Sequence, residues 1–393
     1  MNRLQTRGPR LMLVAGEASG DNLGAGLLQA LRSRHPDLEA RGVGGSRMIA
    51  QGFSSLCDLN ELSVIGLVEV VRRLPGLIRR HRQLTNMLDS WRPDLLITID
   101  LPDFNFLLAR RAKALGIGRI HYVGPQVWAW RAGRVGKLAR LLDHLLVLFP
   151  FEEDVYAGSG LPVTFVGHPL AQRPLPEVAE RLATRRELGL AEGERLLLLL
   201  PGSRLGEIRR HLGVMVAACR RVAALGGVRC VLAVADTLTP EDLAEVMRQE
   251  PDPEVRAFFP RIELRQGMTG RLLTVADAAM ASSGTVTLEA ALSGTPMTVL
   301  YRVNRLTYEI GRRVIRVSHI ALPNLVAGWT LVPERIQHEA NPELLAADVQ
   351  GLLFDGVSAE RQRTGFREIR ARLAQPVKSP AEVVSEFLGR AGF

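Results

Sequence analysis

Cysteine is scarce and unpatterned. Cys57, Cys219 and Cys230 are odd in number and form no C-x-x-C, so neither a disulfide framework nor a zinc site is indicated, and a reducing cytoplasm fits. Long apolar runs are missing too. Near the N-terminus only Leu11–Ala15 is apolar, shorter than the core of a signal peptide, and no run approaches the ~18 residues of a spanning helix. The expectation is a soluble or peripheral protein. Lysine is nearly absent, with only Lys113, Lys137 and Lys378 among 50 basic residues. The formal charge of +9 therefore rests on arginine, which fits a general preference for Arg or an attraction to phosphates and anionic headgroups. Aromatics make up 5% of the chain and the positive charge is dispersed, which argues against nucleic acid as a partner.

Several catalytic signatures are also absent. A nicotinamide enzyme carries G-x-G-x-x-G after its first strand, whereas the glycines here are spaced Gly16, Gly20, Gly24 and Gly26. No Gly-Lys-Ser/Thr tripeptide closes a Walker loop, no G-x-S-x-G elbow occurs, and no D-x-D pair or His cluster suggests a metal. What remains is a chain of 393 residues, more than one core usually supports, with a soft prior of two or three domains at ~150 residues each.

The most informative stretch is Arg195–Glu207, RLLLLLPGSRLGE. Leu196–Leu200, stopped by Pro201-Gly202, reads as a strand buried on both faces of a parallel sheet. A helix opens directly after it. Gly202 and Ser203 lie where backbone N–H groups at a helix N-terminus face an anion, and Arg204 adds a guanidinium beside them. A related device opens the chain: the strand Leu11–Ala15, then Gly16-Glu17-Ala18-Ser19-Gly20-Asp21 and a helical pattern through Leu23, Leu27, Leu28 and Leu31. Two such openings predict two α/β domains, Rossmann-like and facing one cleft.

In the first half, strands are expected at Glu39–Gly44, Asp94–Leu101, Arg119–Val123, Asp143–Phe149 and Pro162–Val166. The apolar run Leu62–Val71, within a segment 62–90, is followed after Pro75 by a helix with Leu77, Ile78, His81, Leu84, Leu88 and Trp91 on one side and Arg79, Arg80 and Arg82 on the other. It reads either as an amphipathic helix packed on the sheet or as a greasy, Arg-rimmed surface that meets acyl chains or a membrane. Asp100 stands at the carboxyl end of its strand, where open α/β sheets bind ligands, and has the character of a general base; Asp103 reads equally as a helix cap. Trp128 and Trp130 are read as core or interface residues, and His168 as structural.

The stretch from residue 171 to 194, with Pro174 and Pro176, is read as the linker and first helix of the second domain. That domain continues with alternating strands and helices, and its second small-residue turn, Ser283-Gly284-Thr285, opens a helix carrying Glu289. Two such turns grip a diphosphate from two sides. Glu289 is placed either to accept from ribose hydroxyls or to complement the helix dipole. A basic helix with Arg312, Arg313 and Arg316 and the run LPNLVAG follow. The domain boundaries expected are 1–170, 171–194, 195–355 and 356–393, the last helices crossing back to the first domain. The layout is that of a two-domain, metal-independent nucleotide-sugar glycosyltransferase, in which Arg and helix dipoles stabilise the departing diphosphate.

The runs AGEASGD (15–21), IDLPDFN (99–105), YVGPQVWAWR (122–131), FVGHPL (165–170), LLPGSRLGEI (199–208), SSGTVTLEA (282–290) and LPNLVAG (322–328) resemble the lipid-A-disaccharide synthase family, in order and over nearly the whole chain. Gly124 and Ser282 depart from it, standing where Ser and Ala are usual. The resemblance implies a GT-B type glycosyltransferase fold. It further implies transfer of 2,3-diacylglucosamine from its UDP ester to 2,3-diacylglucosamine 1-phosphate, giving a β-1,6-linked disaccharide 1-phosphate and UDP, with no cofactor and no metal. On this chain Asp100 is then the base and Arg204 the group opposite the leaving diphosphate. Gly202, Ser203, Ser283, Gly284, Thr285, Glu289 and Asn324 hold UDP, and Gly16, Glu17, Ser19 and Asn105 line the sugar pocket. Val64, Ile65, Leu67, Val68 and Val71 meet acyl chains or the cytoplasmic face of the inner membrane, where the protein sits peripherally. A homodimer exchanging C-terminal segments is allowed. The nearest rivals are another UDP-sugar transferase or epimerase of the same fold, such as the lipid-linked muramyl-peptide N-acetylglucosaminyltransferase, and a non-catalytic nucleotide-binding or membrane-tethering protein.

Overall fold

The computed structural model describes residues 7–61, 67–125, 132–304, 308–309 and 318–390, the backbone alone at 60, 67–73 and 132. The chain divides into two compact units, Met1–Pro169 with Gln375–Phe393, and Leu170–Ala374. In the first, the strands β1 (Arg10–Ala15), β2 (Glu39–Val43), β3 (Ser54–Ser55), β4 (Leu95–Ile99), β5 (Gly118–Tyr122), β6 (His144–Val147) and β7 (Val163–Phe165) form one parallel sheet in the order β3-β2-β1-β4-β5-β6-β7. Strand order reverses between β1 and β4, where Ala15 lies opposite Ile99. This is the switch point at which doubly wound sheets leave a crevice at their carboxyl ends.

Both faces of this sheet are covered, which is why its strands are apolar throughout rather than alternating. Leu11, Leu13 and Ala15 of β1 pack with Leu27, Leu28 and Leu31 of helix α1 (Ala18–Arg34) and with Val383, Val384 and Leu388 of the C-terminal helix Pro380–Arg390. Met12 and Val14 meet the other face, with Leu84 and Leu88 of α3 (Leu67–Trp91) and Leu108 and Ala112 of α4 (Pro102–Ala114); a short helix α2 (Ser46–Ile49) follows β2. Gly118 admits the C-terminal helix closely, since a Cβ there would lie 2.4 Å from Cε1 of Phe387. The preceding helix, Gly356–Ala374, stays in the second unit.

Two local expectations are corrected. Helix α3 does not start after Pro75 but runs through it. An internal proline forfeits one hydrogen bond and costs about 3 kcal/mol, which fully buried Leu84 and Leu88 offset at about 2 kcal/mol each. Strand β4 stops at Ile99, and Asp100 and Leu101 turn into the left-handed region with φ of 54° and 44°.

The second unit repeats the winding. Strands β8 (Arg195–Leu200), β9 (Val228–Val234), β10 (Glu263–Gln266), β11 (Ala278–Ser282), β12 (Met297–Tyr301) and β13 (Glu334–Ile336) lie parallel in the order β10-β9-β8-β11-β12-β13. The five leucines of β8 are buried, Leu197 and Leu199 against Leu212, Met215 and Cys219 of the helix Leu205–Ala223 and Leu345 and Val349 of the helix Pro342–Phe354. The switch point falls between β8 and β11, with Leu200 opposite Ala281. The helix Val178–Glu187 precedes β8. Trp128, Trp130, Arg312, Arg313 and Arg316 lie outside the described residues.

Candidate active site

At the switch point of the first sheet, Asp100 follows β4 and is partly exposed. Its backbone N–H donates to Tyr122 O at 3.0 Å, and its Oδ1 accepts from the N–H of Leu101 at 2.9 Å. Beside it Val123 also has positive φ, 76°. A β-branched or bulky residue in this region is an outlier costing roughly 1–3 kcal/mol, so two strained residues, Leu101 and Val123, flank the left-handed Asp100 at the ends of β4 and β5. Strain concentrated in this way marks functional sites. Proline at the first position of α4 fixes where the helix begins and so how far the bend extends.

The neighbours assigned to the sugar pocket divide. Gly16 is buried after β1, Glu17 is the partly exposed N-cap of α1, and Ser19 is exposed in its first turn; adjacency of β1 and β4 puts this opening beside Asp100. Asn105 does something else. It is fully buried, and its Nδ2 donates to Asp100 O at 2.7 Å and to Ile99 O at 3.4 Å. Nδ2 thereby holds the bend under Asp100, while Oδ1 is buried without a partner among the described residues. Asp21 is structural too: it is buried, and its carboxylate accepts from Gly45, Arg47 and Met48 N–H groups, closing the N-terminus of α2. Asp103 projects into solvent beside Arg134. Gly124 packs where a Cβ would lie 2.9 Å from Oε1 of Glu152.

The second sheet brings both small-residue turns to adjacent strand ends. Gly202-Ser203-Arg204 follows β8, and Ser283-Gly284-Thr285 follows β11, its immediate neighbour. The Arg204 side chain is 72% exposed, which leaves its guanidinium open to an incoming anion. Gly202 needs its residue type: φ is 123°, and a Cβ would lie 2.4 Å from Oε2 of Glu207. Ser283 is partly spoken for, its Oγ donating to Ile320 O at 2.9 Å. Glu289, one turn into the helix Thr285–Leu292, is half-buried, and burial raises its pKa while the Arg173 charge opposes this.

Asn324 is not available to a nucleoside. It is fully buried; Oδ1 accepts from the N–H groups of Leu331 and Val332, and Nδ2 donates to Val332 O and to Oε1 of Glu334. Glu334 in turn accepts from Ile320 and Ala321 N–H. With both ends of the amide engaged, Asn324 braces the segment 320–334 rather than binding ligand.

His211 went unnoticed in the sequence. It is fully buried on the helix after the Gly202 turn, with Nδ1 2.9 Å from Pro201 O and Nε2 3.1 Å from the N–H of Arg302. A carbonyl needs a donor and an N–H needs an acceptor, so the ring is the neutral Nδ1–H tautomer. It ties the turn after β8 to the end of β12, and burial lowers its pKa. Its only sequence signal was helical spacing from Glu207. Val64 and Ile65 lie outside the described residues, as do the side chains of Leu67, Val68 and Val71. In the described part of α3, Leu74 and Ile78 are 48% and 45% exposed. Among the described residues no helix is long and apolar enough to cross a membrane.

The comparisons agree with this geometry. A family model for lipid-A-disaccharide synthetase matches residues 11–387. The lipid-A-disaccharide synthase of Pseudomonas aeruginosa is 45% identical over 387 residues, covering 98% of this chain and 99% of that one; that of Myxococcus xanthus is 40% identical, covering 98% of each. Among solved structures, UDP-GlcNAc 2-epimerase from Neisseria meningitidis bound to UDP-GlcNAc has a TM-score of 0.62 at 12% identity, covering 97% of this chain and 100% of that one. CalG4, the calicheamicin glycosyltransferase, has a TM-score of 0.57 at 16% identity, covering 99% and 100%. These two likenesses establish the fold, that of GT-B glycosyltransferases and UDP-sugar epimerases. The matches in sequence establish more: the chain belongs to the lipid-A-disaccharide synthase family.

Proposed function

We propose that this chain, a lipid-A-disaccharide synthase by family, transfers 2,3-diacylglucosamine from its UDP ester to the primary hydroxyl of 2,3-diacylglucosamine 1-phosphate. The observation that carries the reading is topological. The partly exposed Asp100 stands at the switch point of one doubly wound sheet, and two small-residue turns, the first carrying Arg204, stand at the switch point of the other.

The reaction is a single inverting displacement. Asp100 takes the proton of the acceptor's primary hydroxyl as its oxygen attacks the anomeric carbon, and the bond from that carbon to the UDP oxygen breaks on the opposite face. The products are the β-1,6-linked disaccharide 1-phosphate and UDP. Charge growing on the diphosphate is met by Arg204 and by backbone N–H groups of the two turns, which act where charge develops and need no metal. Glu289, partly exposed beside the second turn, accepts from the ribose hydroxyls. Both substrates carry acyl chains, so the enzyme works at the cytoplasmic face of the inner membrane, and exposed Leu74 and Ile78 extend the apolar segment that meets it.

The test is incubation of the purified protein with UDP-2,3-diacylglucosamine and 2,3-diacylglucosamine 1-phosphate in EDTA, following disaccharide and UDP. Disaccharide formed in EDTA is the expected result. UDP release from non-acylated UDP-N-acetylglucosamine, with no acylated product, would leave only the fold standing.

A further inference from the structure

One carboxylate sits where the diphosphate is to go. Glu207 is the third residue of the helix Leu205–Ala223, and side chains there point back over the helix N-terminus. In an ordinary capping box it meets the N–H of the cap residue, here Arg204. Instead its Oε2 accepts from the N–H of Ser203 at 3.1 Å, one residue farther out. Its Oε1 lies 3.8 Å from Nη1 of Arg204. The backbone of Gly202 lies directly beneath, so close that no Cβ fits between. The Ser203 amide, the Arg204 guanidinium and the open face of Gly202 are the three features that a phosphate needs from this turn.

Glu207 is not the sole support of the turn. His211 holds Pro201 O on one side, and Thr237 Oγ1 donates to Ser203 O at 2.5 Å on the other. With both flanks anchored by other residues, the carboxylate's distinctive property is its charge.

Resting on the reading that this turn binds the diphosphate, we infer that Glu207 is an internal anion that occupies the phosphate position when UDP is absent. It swings off Ser203 and Arg204 as the donor binds, and returns as UDP leaves. The enzyme thereby gives up part of its affinity for UDP and gains a faster release of product, since a carboxylate competes for the same donors and repels the diphosphate beside it.

The experiment is UDP binding by calorimetry to the full chain and to Glu207→Gln, Glu207→Ala and Arg204→Ala, with steady-state kinetics on each. Glu207→Gln keeps an oxygen acceptor for Ser203 and removes the charge. Both Glu207 variants are expected to bind UDP 3- to 30-fold more tightly, with kcat and the donor KM falling together as release of UDP slows. A cap whose role is structural gives the opposite: unchanged UDP affinity in Glu207→Gln and weaker affinity in Glu207→Ala, and either result overturns the inference. Arg204→Ala separates the two levels of argument. Weakened UDP binding in this variant with no tightening in Glu207→Gln defeats the inference alone, whereas undiminished UDP binding defeats the assignment of the turn and the inference with it.

Discussion

The side-chain amide of Asn105 donates to the backbone carbonyl of Asp100 at 2.7 Å, from a residue with no exposed surface. The bend at Asp100 and Leu101 is left-handed at both residues, and such a bend persists only when its surroundings over-determine it. The Tyr122 carbonyl holds one side of it and Asn105 the other. Asn105→Ala is expected to lower kcat at least ~10-fold, because small misplacement of a base is costly, and to lower stability by about 1–3 kcal/mol for the buried carbonyls left without a donor. Because the proposal assigns UDP binding to the other unit, UDP affinity is expected to stay within twofold. A variant with full kcat would show that Asp100 needs no such support.

Gly202→Ala tests the shape of the diphosphate turn. The new Cβ meets Glu207 Oε2 in a backbone conformation that side chains rarely adopt, so either the carboxylate or the turn must move. UDP binding is expected to weaken at least ~10-fold, since anion binding by backbone amides depends on their direction. The double variant Gly202→Ala, Glu207→Ala relieves the clash with the carboxylate but keeps Cβ of residue 207, 2.8 Å from the new Cβ, so it is expected to recover only part of the lost affinity and to retain a backbone penalty of about 1 kcal/mol as well. Undiminished UDP affinity in the single variant would mean that the diphosphate lies elsewhere.

Both doubly wound sheets and the place of their strand ends were legible in the sequence, because parallel strands buried on two faces leave unbroken apolar runs such as Leu196–Leu200. Small-residue turns after those strands were equally legible, since small residues such as Gly and Ser leave backbone amides at a helix N-terminus open to an anion. Which polar residues support the site was not. Asn105 and Asn324 look like ligand-binding amides in sequence, yet Nδ2 of Asn105 is taken by the carbonyls of Ile99 and Asp100 at the bend just before its helix, and both ends of the Asn324 amide are taken by backbone and carboxylate groups of 331–334. His211 was invisible because its partners, Pro201 and Arg302, are brought together only when β8 and β12 take their places in the sheet. The continuation of α3 through Pro75 was equally out of reach, because local propensity ends a helix where tertiary packing sustains it.

Acidification should destabilise the fold through its buried histidines. His121 is fully buried, with Nδ1 2.7 Å from Thr98 Oγ1 and Nε2 without a partner among the described residues; burial pushes its pKa down to about 3. Burial also lowers the pKa of His211. These rings are neutral when folded, while in the unfolded chain they take up a proton near their ordinary pKa of 6.5. The unfolded state therefore binds more protons below that pH, so the stabilisation is present above it and is lost as pH falls toward 3. For His121 the loss between the ordinary pKa and about pH 5 is on the order of 2 kcal/mol. Denaturant midpoints at about pH 7 and pH 5 should differ less in His121→Leu than in the parent; equal differences would contradict the assignment.

The membrane reading has its own test. Leu74 and Ile78 lie one turn apart on α3 and are both exposed, with exposed Arg79 and Arg82 close by. Replacing both apolar residues by Ser removes about 1.5–3 kcal/mol of burial per side chain from a lipid-bound state and nothing comparable from the folded core. Co-sedimentation with vesicles containing anionic phospholipid is expected to fall at least ~10-fold with an unchanged melting temperature. Full co-sedimentation would place the lipid contact on another surface.

The central claim is that a carboxylate at the end of β4 removes the acceptor's proton while a separate turn, in the other unit, holds UDP. The most direct measurement is kcat of Asp100→Asn beside its UDP affinity. Loss of a general base costs ~10²–10⁴-fold, so the account predicts a fall in kcat of that size with UDP binding unchanged. A variant within about tenfold of the parent would contradict it.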